Sequence, residues 1–213
     1  MKKIFLFILV LSCSLRTAIG QETIPFESKK WTVRTFLFSQ PYTFDRHNPL
    51  PSFFTGIGGK LNFEQISYRL SVEQINYKNE FEERFQKAYF TETTLKAGAE
   101  YKLKYYEVIN LNFFVDGAFS KIDQESRFLQ ADSNINVTEN YDGYAVGAMF
   151  GIGFDYFLKE NLSLSIETRL DVLHVSTDYD KEDFYNNYSV SYLSTNSIFK
   201  LNILGNFCLN YHF

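Results

Sequence analysis

The chain has 213 residues, 18% of them aromatic and 22% charged, with a formal net charge of −4. Such a composition argues against a disordered chain, and slight acidity with no basic cluster argues against a nucleic-acid-binding one. The length suits one domain. The first predicted element stands apart from the fold. In "MKKIFLFILVLSCSLRTAIG", Lys2 and Lys3 make a basic start, Ile4 to Leu15 an apolar stretch, and Ala18-Ile19-Gly20 a small-x-small cleavage site. That is the pattern of a secretory signal peptide, too short and wrongly flanked for a spanning helix. Cleavage after Gly20 removes Lys2, Lys3, Arg16 and Cys13, so the exported chain becomes more acidic and keeps Cys208 alone, without an internal disulfide. ("VLSC" ahead of Cys13 faintly resembles a lipoprotein signal, but Leu11 and Ser12 fit such a site poorly.) No later stretch approaches the roughly twenty apolar residues of a helical span, so any passage through a membrane would use strands.

From residue 30 onward a period of two dominates, the period of a strand with one greasy and one wet face. "KWTVRTFLFS" is the least clean, with Trp31, Val33 and Leu37 on one side and Arg34, Phe36 and Phe38 on the other. "TGIGGKLNF" sets Thr55, Ile57, Gly59, Leu61 and Phe63 against Gly56, Gly58, Lys60 and Asn62. "ISYRLSV" sets Ile66, Tyr68, Leu70 and Val72 against Ser67, Arg69, Ser71 and Glu73. "TETTLKAGAEYKL" sets Leu95, Ala97, Ala99, Tyr101 and Leu103 against Glu92, Lys96, Gly98, Glu100 and Lys102. "INLNFFVDGAF" sets Ile109, Leu111, Phe113, Val115 and Phe119 against Asn110, Asn112, Asp116 and Ala118.

In "GYAVGAMFGIGFDY", Tyr144, Val146, Ala148, Phe150, Ile152, Phe154 and Tyr156 are backed by glycines and Asp155. "LSLSIETRLDV" opposes Leu162, Leu164, Ile166, Leu170 and Val172 to Ser163, Ser165, Glu167, Arg169 and Asp171. The last segment, "FKLNILGNFCLNYHF", alternates Phe199, Leu201, Ile203, Gly205, Phe207, Leu209, Tyr211 and Phe213 with Lys200, Asn202, Leu204, Asn206, Cys208, Asn210 and His212. These segments predict eight strands, and no helical period competes.

The connections alternate in length. Links around Glu64-Gln65, at 104–107 and at 157–161 are short, whereas 40–52, 77–89, 121–141 and 174–196 read as long polar loops. That rhythm predicts an up-and-down meander with every long loop at one end, and both chain ends on the short-turn side.

Alternation alone leaves sidedness open, because a soluble lipocalin-like barrel keeps its apolar face inside. Volume favours the reverse. An eight-stranded barrel is just wide enough inside for side chains to fill, and the Phe, Tyr, Leu and Ile faces are too bulky for that space. The opposite face carries Arg34, Lys60, Arg69, Lys96, Lys102, Arg169 and Lys200, matched in number by Glu73, Glu92, Glu100, Asp116, Asp155, Glu167 and Asp171. Unpaired buried ions cost several kcal/mol each, so a balanced set predicts ion pairs that plug a narrow lumen. Phe63, Tyr68, Tyr101, Tyr156 and Tyr211 fall on apolar faces near the short turns, where an aromatic girdle would meet lipid headgroups. The expected fold is therefore all-β, an eight-stranded antiparallel up-and-down transmembrane β-barrel. Its longest strands should continue past the apolar band into the loops.

With this pattern, a leader and a terminal "NYHF", the chain resembles the small outer-membrane β-barrel family, OmpA- and OmpX-like. The resemblance covers the mature chain and rests on pattern rather than on a fingerprint motif. It implies a signal peptide at 1–20, a periplasmic segment at 21–29 and an outer-membrane barrel at 30–213. It also implies that Phe207, Leu209, Tyr211 and Phe213 act as the signal read by the barrel-assembly machinery. The partners it implies are outer-membrane lipid and that machinery during insertion. The expected role is structural or surface-interacting and non-enzymatic, through loops that touch an extracellular ligand. The alternative is an accessory subunit of a larger envelope complex, and a channel, a lipid A-modifying enzyme or a secreted carrier rank lower.

Chemistry is sparse. His47, His174 and His212 lack companions at metal-ligand spacing, so no metal or cofactor is expected. "GIGGK" at 56–60 lacks the P-loop spacing and the helix that must follow it, and reads as glycines facing a crowded lumen. His174 with Ser176 and Asp178, or His47 with Asp45, lie where a barrel rim would meet lipid, but a triad is defined by geometry rather than by nearness in sequence.

Overall fold

The computed structural model describes residues 30–40, 52–63, 65–81, 86–106, 108–130, 135–183 and 188–213. The leader at 1–20, the segment 21–29, Asp45 and His47 lie outside the described residues. Eight strands follow in chain order: β1 (Trp31–Ser39), β2 (Ser52–Phe63), β3 (Ile66–Phe81), β4 (Gln86–Tyr106), β5 (Ile109–Gln130), β6 (Ile135–Lys159), β7 (Leu162–Asp183) and β8 (Tyr188–His212). Each pairs antiparallel with its sequence neighbours, and β1 pairs with β8 to close the barrel. Paired residues lead from Arg34 through Gly58, Ser71, Lys96, Ala118, Gly147 and Leu173 to Ile198, yet Arg34 itself meets Asn210 across the seam. The ring is sheared, so its strands run oblique to the axis, as closure demands.

The alternation sorts side chains to the two faces of this wall. Leu95, Phe113 and Phe150 point outward with 46%, 42% and 47% of their surface exposed. Arg69, Glu100 and Arg169 point inward and are buried. Greasy residues clothe the outside and charged ones fill the inside.

Three expectations need correction. The segments 77–89, 121–141 and 174–196, read as long loops, are mostly strand: β3 runs to Phe81, β5 to Gln130 and β7 to Asp183, each followed by a strand that resumes within a few residues. Their polarity misled, because the outer face of these extensions is wet and only scattered inward residues such as Ile122, Val175 and Tyr179 are buried. The blurred parity of the first segment comes from a bulge. Phe36 and Phe38 pair with Cys208 and Phe207, so Leu37 is the extra residue and parity inverts beyond it. Phe36, ahead of the bulge, keeps the inward side of Arg34, and Ser39, beyond it, turns inward against the original parity.

The third correction concerns positions next to two further irregularities. Phe54 adopts a left-handed φ of 53°, and the register slip beside it turns Thr55 inward, where its hydroxyl donates to Ser39 Oγ at 2.8 Å. On β8, Glu167 and Arg169 of β7 face Asn206 and Asn202, so Ile203, Leu204 and Gly205 loop out opposite Thr168. Leu204 is consequently exposed and Gly205 buried, the reverse of their expected sides.

Candidate functional site: the filled lumen and the projecting strands

Arg69 of β3 is the hub of the interior. Its guanidinium lies 3.0 Å from Glu167, 3.1 Å from Asp116 and 3.3 Å from Glu100, reaching from one wall of the barrel to the other. The ring of Phe114 lies beneath it, 4.3 Å from the guanidinium carbon, and supplies a cation–π contact in a desolvated setting. Glu167 also accepts from Arg34 at 2.7 Å and from Asn206 at 2.8 Å, while Glu100 accepts from Lys60 at 2.7 Å. Asp155 accepts from Asn112 at 2.7 Å and from Ser165, with the Lys60 ammonium 3.9 Å away. Lys96 pairs with Glu73 and sits 4.7 Å from the Phe36 ring centre.

A second group lies at the seam. Arg169 binds Asp171 at 3.0 Å, Asn206 at 2.7 Å and the Gln40 carbonyl at 2.8 Å, and Asn202 donates to Asp171 at 2.6 Å. Lys102 and Lys200, expected in the same network, are half-buried; Lys102 donates to Asn62 at 2.8 Å, and Lys200 is the strand partner of Asp171. Glu92 is buried but lies higher, between its strand partners Ile75 and Ile122.

Each end of the lumen is closed differently. Toward the short turns, the His212 imidazole bridges Thr32 and Ser163 through its two nitrogens, each at 2.9 Å, and packs on Phe157 with ring centres 5.1 Å apart. Toward the projecting strands, Ile75, Phe90, Ala118, Ile122, Ala145, Met149, Leu173 and Val175 form an apolar plug. Sequence reasoning missed this plug. Its signal was a set of apolar residues at inward parity within stretches read as loops or loop edges. The inward Phe114 was missed too, and glycines make room for the inward rings: a Cβ on Gly151 would strike Phe114, and one on Gly58 would crowd Phe36 and Ser71. This is the crowded lumen that "GIGGK" suggested for Gly56 and Gly58, whereas Gly59 lies on the outward row with Ile57.

On the outside, Phe63, Tyr68, Tyr101 and Tyr211 are exposed and Tyr156 half-exposed, all near the short-turn ends of their strands. Phe63 meets Tyr68 edge-on at 5.9 Å, and Tyr211 meets Phe213 at 4.8 Å. Phe207 and Leu209 lie on the same outward row of β8 and are half-buried. No family model, no curated protein and no solved structure matches the chain.

The remaining chemistry is quickly placed. His174, Ser176 and Asp178 occupy successive outward positions of β7, roughly 6.6 Å apart by strand geometry. No hydrogen bond joins them, so they do not form a relay. Among the described residues, no group of His, Cys, Asp and Glu is disposed to hold a metal ion. Cys208 is a free, buried thiol.

Beyond the apolar band, β6, β7 and β8 carry an inner-face ladder in which Tyr141, Tyr179 and Tyr192 are strand partners, with successive ring centres 4.7 Å apart. Burial and the neighbouring Glu139 hold the Tyr179 phenol above its ordinary pKa. The hydrogen bond to Glu139 at 2.9 Å raises the Lys181 ammonium. The arrangement stiffens a sheet that stands clear of the filled barrel.

Proposed function

We propose that this chain is an integral outer-membrane β-barrel, of the small OmpA/OmpX-like kind, with a structural or surface-interaction role. The observation that carries the reading is sidedness: an apolar exterior surrounds an interior of buried ion pairs. A soluble monomer rarely exposes an apolar patch of more than a few hundred Å², and here such residues encircle the wall. The height of the band agrees. On β5 the outward residues Ile109, Leu111, Phe113, Val115 and Phe119 are apolar, and Lys121 and Asp123 follow above. At ~3.3 Å per residue and a tilt near 40°, Ile109 to Phe119 covers about 25 Å along the axis, the height of the lipid-facing band of such barrels.

The same sidedness argues against a lipocalin-like carrier, whose greasy face lines a cavity. The ion network and the apolar plug argue against a channel, and the unjoined His174 argues against lipid A chemistry. What remains for interaction is the projecting sheet.

One observation favours the accessory-subunit alternative. Among the described residues, β8 pairs with β1 only between Asn206 and His212, and above this seam Phe199, Leu201 and Ile203 are 75%, 66% and 67% exposed. Together with Phe54 at 77%, these are the most exposed large apolar side chains among the described residues, and they suit a protein neighbour.

The test is native purification in mild detergent followed by planar-bilayer recording. A heat-modifiable monomer without stable conductance supports the structural or surface-contact reading. A reproducible larger assembly moves the assignment to the accessory subunit, and large, stable openings would refute the plugged lumen.

A further inference from the structure

At the short-turn end of the lumen, a row of polar side chains crosses five adjacent strands. His212 of β8 meets Thr32 of β1 at 2.9 Å, and Asn62 of β2 donates through Nδ2 to the Thr32 hydroxyl at 2.8 Å. Oδ1 of the same Asn62 accepts from Ser67 of β3 at 2.8 Å and from the Lys102 ammonium of β4 at 2.8 Å. The carboxamide is thus held at both ends, with an amine nitrogen against its carbonyl. Ser67 and Thr32 are buried, and Asn62 and Lys102 half-buried.

We propose that Lys102 and Asn62 join in an intramolecular isopeptide bond. The Lys102 nitrogen bonds to Asn62 Cγ, the Cγ–Nδ2 bond breaks, and the amide nitrogen departs as ammonium with the two protons that Lys102 gives up. Atoms and charge balance without a co-reactant. The neighbouring residues supply what the step needs. Two donors on Oδ1 polarise the carbonyl, and Ser67 remains to stabilise the oxyanion as the Lys102 nitrogen swings from oxygen to carbon. Thr32 faces the leaving nitrogen; once that nitrogen's lone pair localises, the hydroxyl turns to donate to it. His212, acting through Thr32, is a positioning residue. The barrel wall keeps amine and amide in contact for the lifetime of the fold, so the reaction is intramolecular. Its product ties β2 to β4 across β3, joining residues 40 positions apart in the chain. Cys208, a lone free thiol among the described residues, makes no such tie.

The test is mass spectrometry of the exported protein, purified folded. Gln21, the N-terminus that cleavage after Gly20 would leave, also sheds ammonia by cyclising, so the loss has to be located. Proteolysis should release a branched peptide joining the segments around Asn62 and Lys102, lighter than the two linear peptides together by one ammonia. Asn62→Ala and Lys102→Arg should each yield linear peptides only. Chain made unfolded in urea should carry linear peptides and gain the branched one after refolding, which supplies a rate. In that assay Ser67→Ala and Thr32→Val should slow bond formation roughly a hundredfold, whereas Thr32→Ser should not. His212→Phe should slow it as well, and His212→Gln, which still holds the Thr32 hydroxyl, should restore it. Linear peptides alone from the folded parent would overturn the proposal. So would a branched peptide in the never-folded chain, or Ser67→Ala and Thr32→Val variants that react at the parental rate. The folded parent decides by itself, so a variant that fails to fold leaves the test intact.

Discussion

Arg69→Met is the most informative single change in the lumen. The side chain touches three carboxylates, but they do not depend on it equally. After its removal Glu167 keeps Arg34 at 2.7 Å and Asn206 at 2.8 Å, and Glu100 keeps Lys60 at 2.7 Å. Asp116, paired to Arg69 at 3.1 Å, keeps no other ion pair among the described residues. The loss therefore amounts to one stranded buried carboxylate, about 3–5 kcal/mol, rather than three times that. Neutralising the stranded group should restore part of it, so Arg69→Met with Asp116→Asn should be more stable than Arg69→Met alone, with a coupling of about 1–3 kcal/mol. Urea unfolding from lipid vesicles, followed through the single tryptophan at Trp31, measures both. A cost below about 1 kcal/mol for Arg69→Met, or additive effects in the pair, would refute a lumen held by this network.

Other outcomes follow from the same geometry. Gly151→Ala forces a methyl into the Phe114 ring and should cost about 1–3 kcal/mol, whereas Gly117→Ala, whose nearest neighbour is the Ala97 carbonyl at 3.7 Å, should be neutral or stabilising by up to about 1 kcal/mol. Above about pH 10 the projecting sheet should loosen. An unfolded Tyr179 ionises there while the buried one resists, and the stabilisation from the raised Lys181 pKa, complete below its unfolded pKa, is lost as pH climbs through the folded one. Tyrosine absorbance titration of the parent against Tyr179→Phe should show one late-ionising phenol disappear. Alanine at His174 should leave the lipid A profile of expressing cells unchanged by mass spectrometry, and a lost modification would reinstate an enzymatic reading.

Where one face of a strand differs sharply from the other, a single sequence suffices to place side chains. Phe113 and Asp116, or Ile166 and Glu167, sort to opposite sides of the wall because the contrast between the two faces outweighs single exceptions such as Phe114 and Thr168. Legibility fails where register slips. Nothing in "RTFLFS" marks Leu37 as the extra residue, since a bulge belongs to the pairing with β8 and not to β1 alone. The looped-out Ile203 and Leu204 are hidden for the same reason.

The projecting strands were hidden differently. Stretches such as "STDYDKEDF" carry no apolar face, so their strand character depends on partners such as Tyr141 for Tyr179, far off in the chain. The apolar plug shares this cause: Ile122 and Val175 are recognisable as core only once β5 and β7 are known to extend past the band.

Sidedness in lipid is the claim on which all else depends, and spin labelling tests it most directly. In a Cys208→Ser background, a nitroxide is placed singly at positions 95, 113, 150 and 166, and the reconstituted barrel is probed by collision with oxygen and with a water-soluble nickel chelate. All four positions should show high oxygen and low nickel accessibility, as lipid-immersed sites do. High nickel accessibility at these positions in folded protein would place them in water and contradict the account.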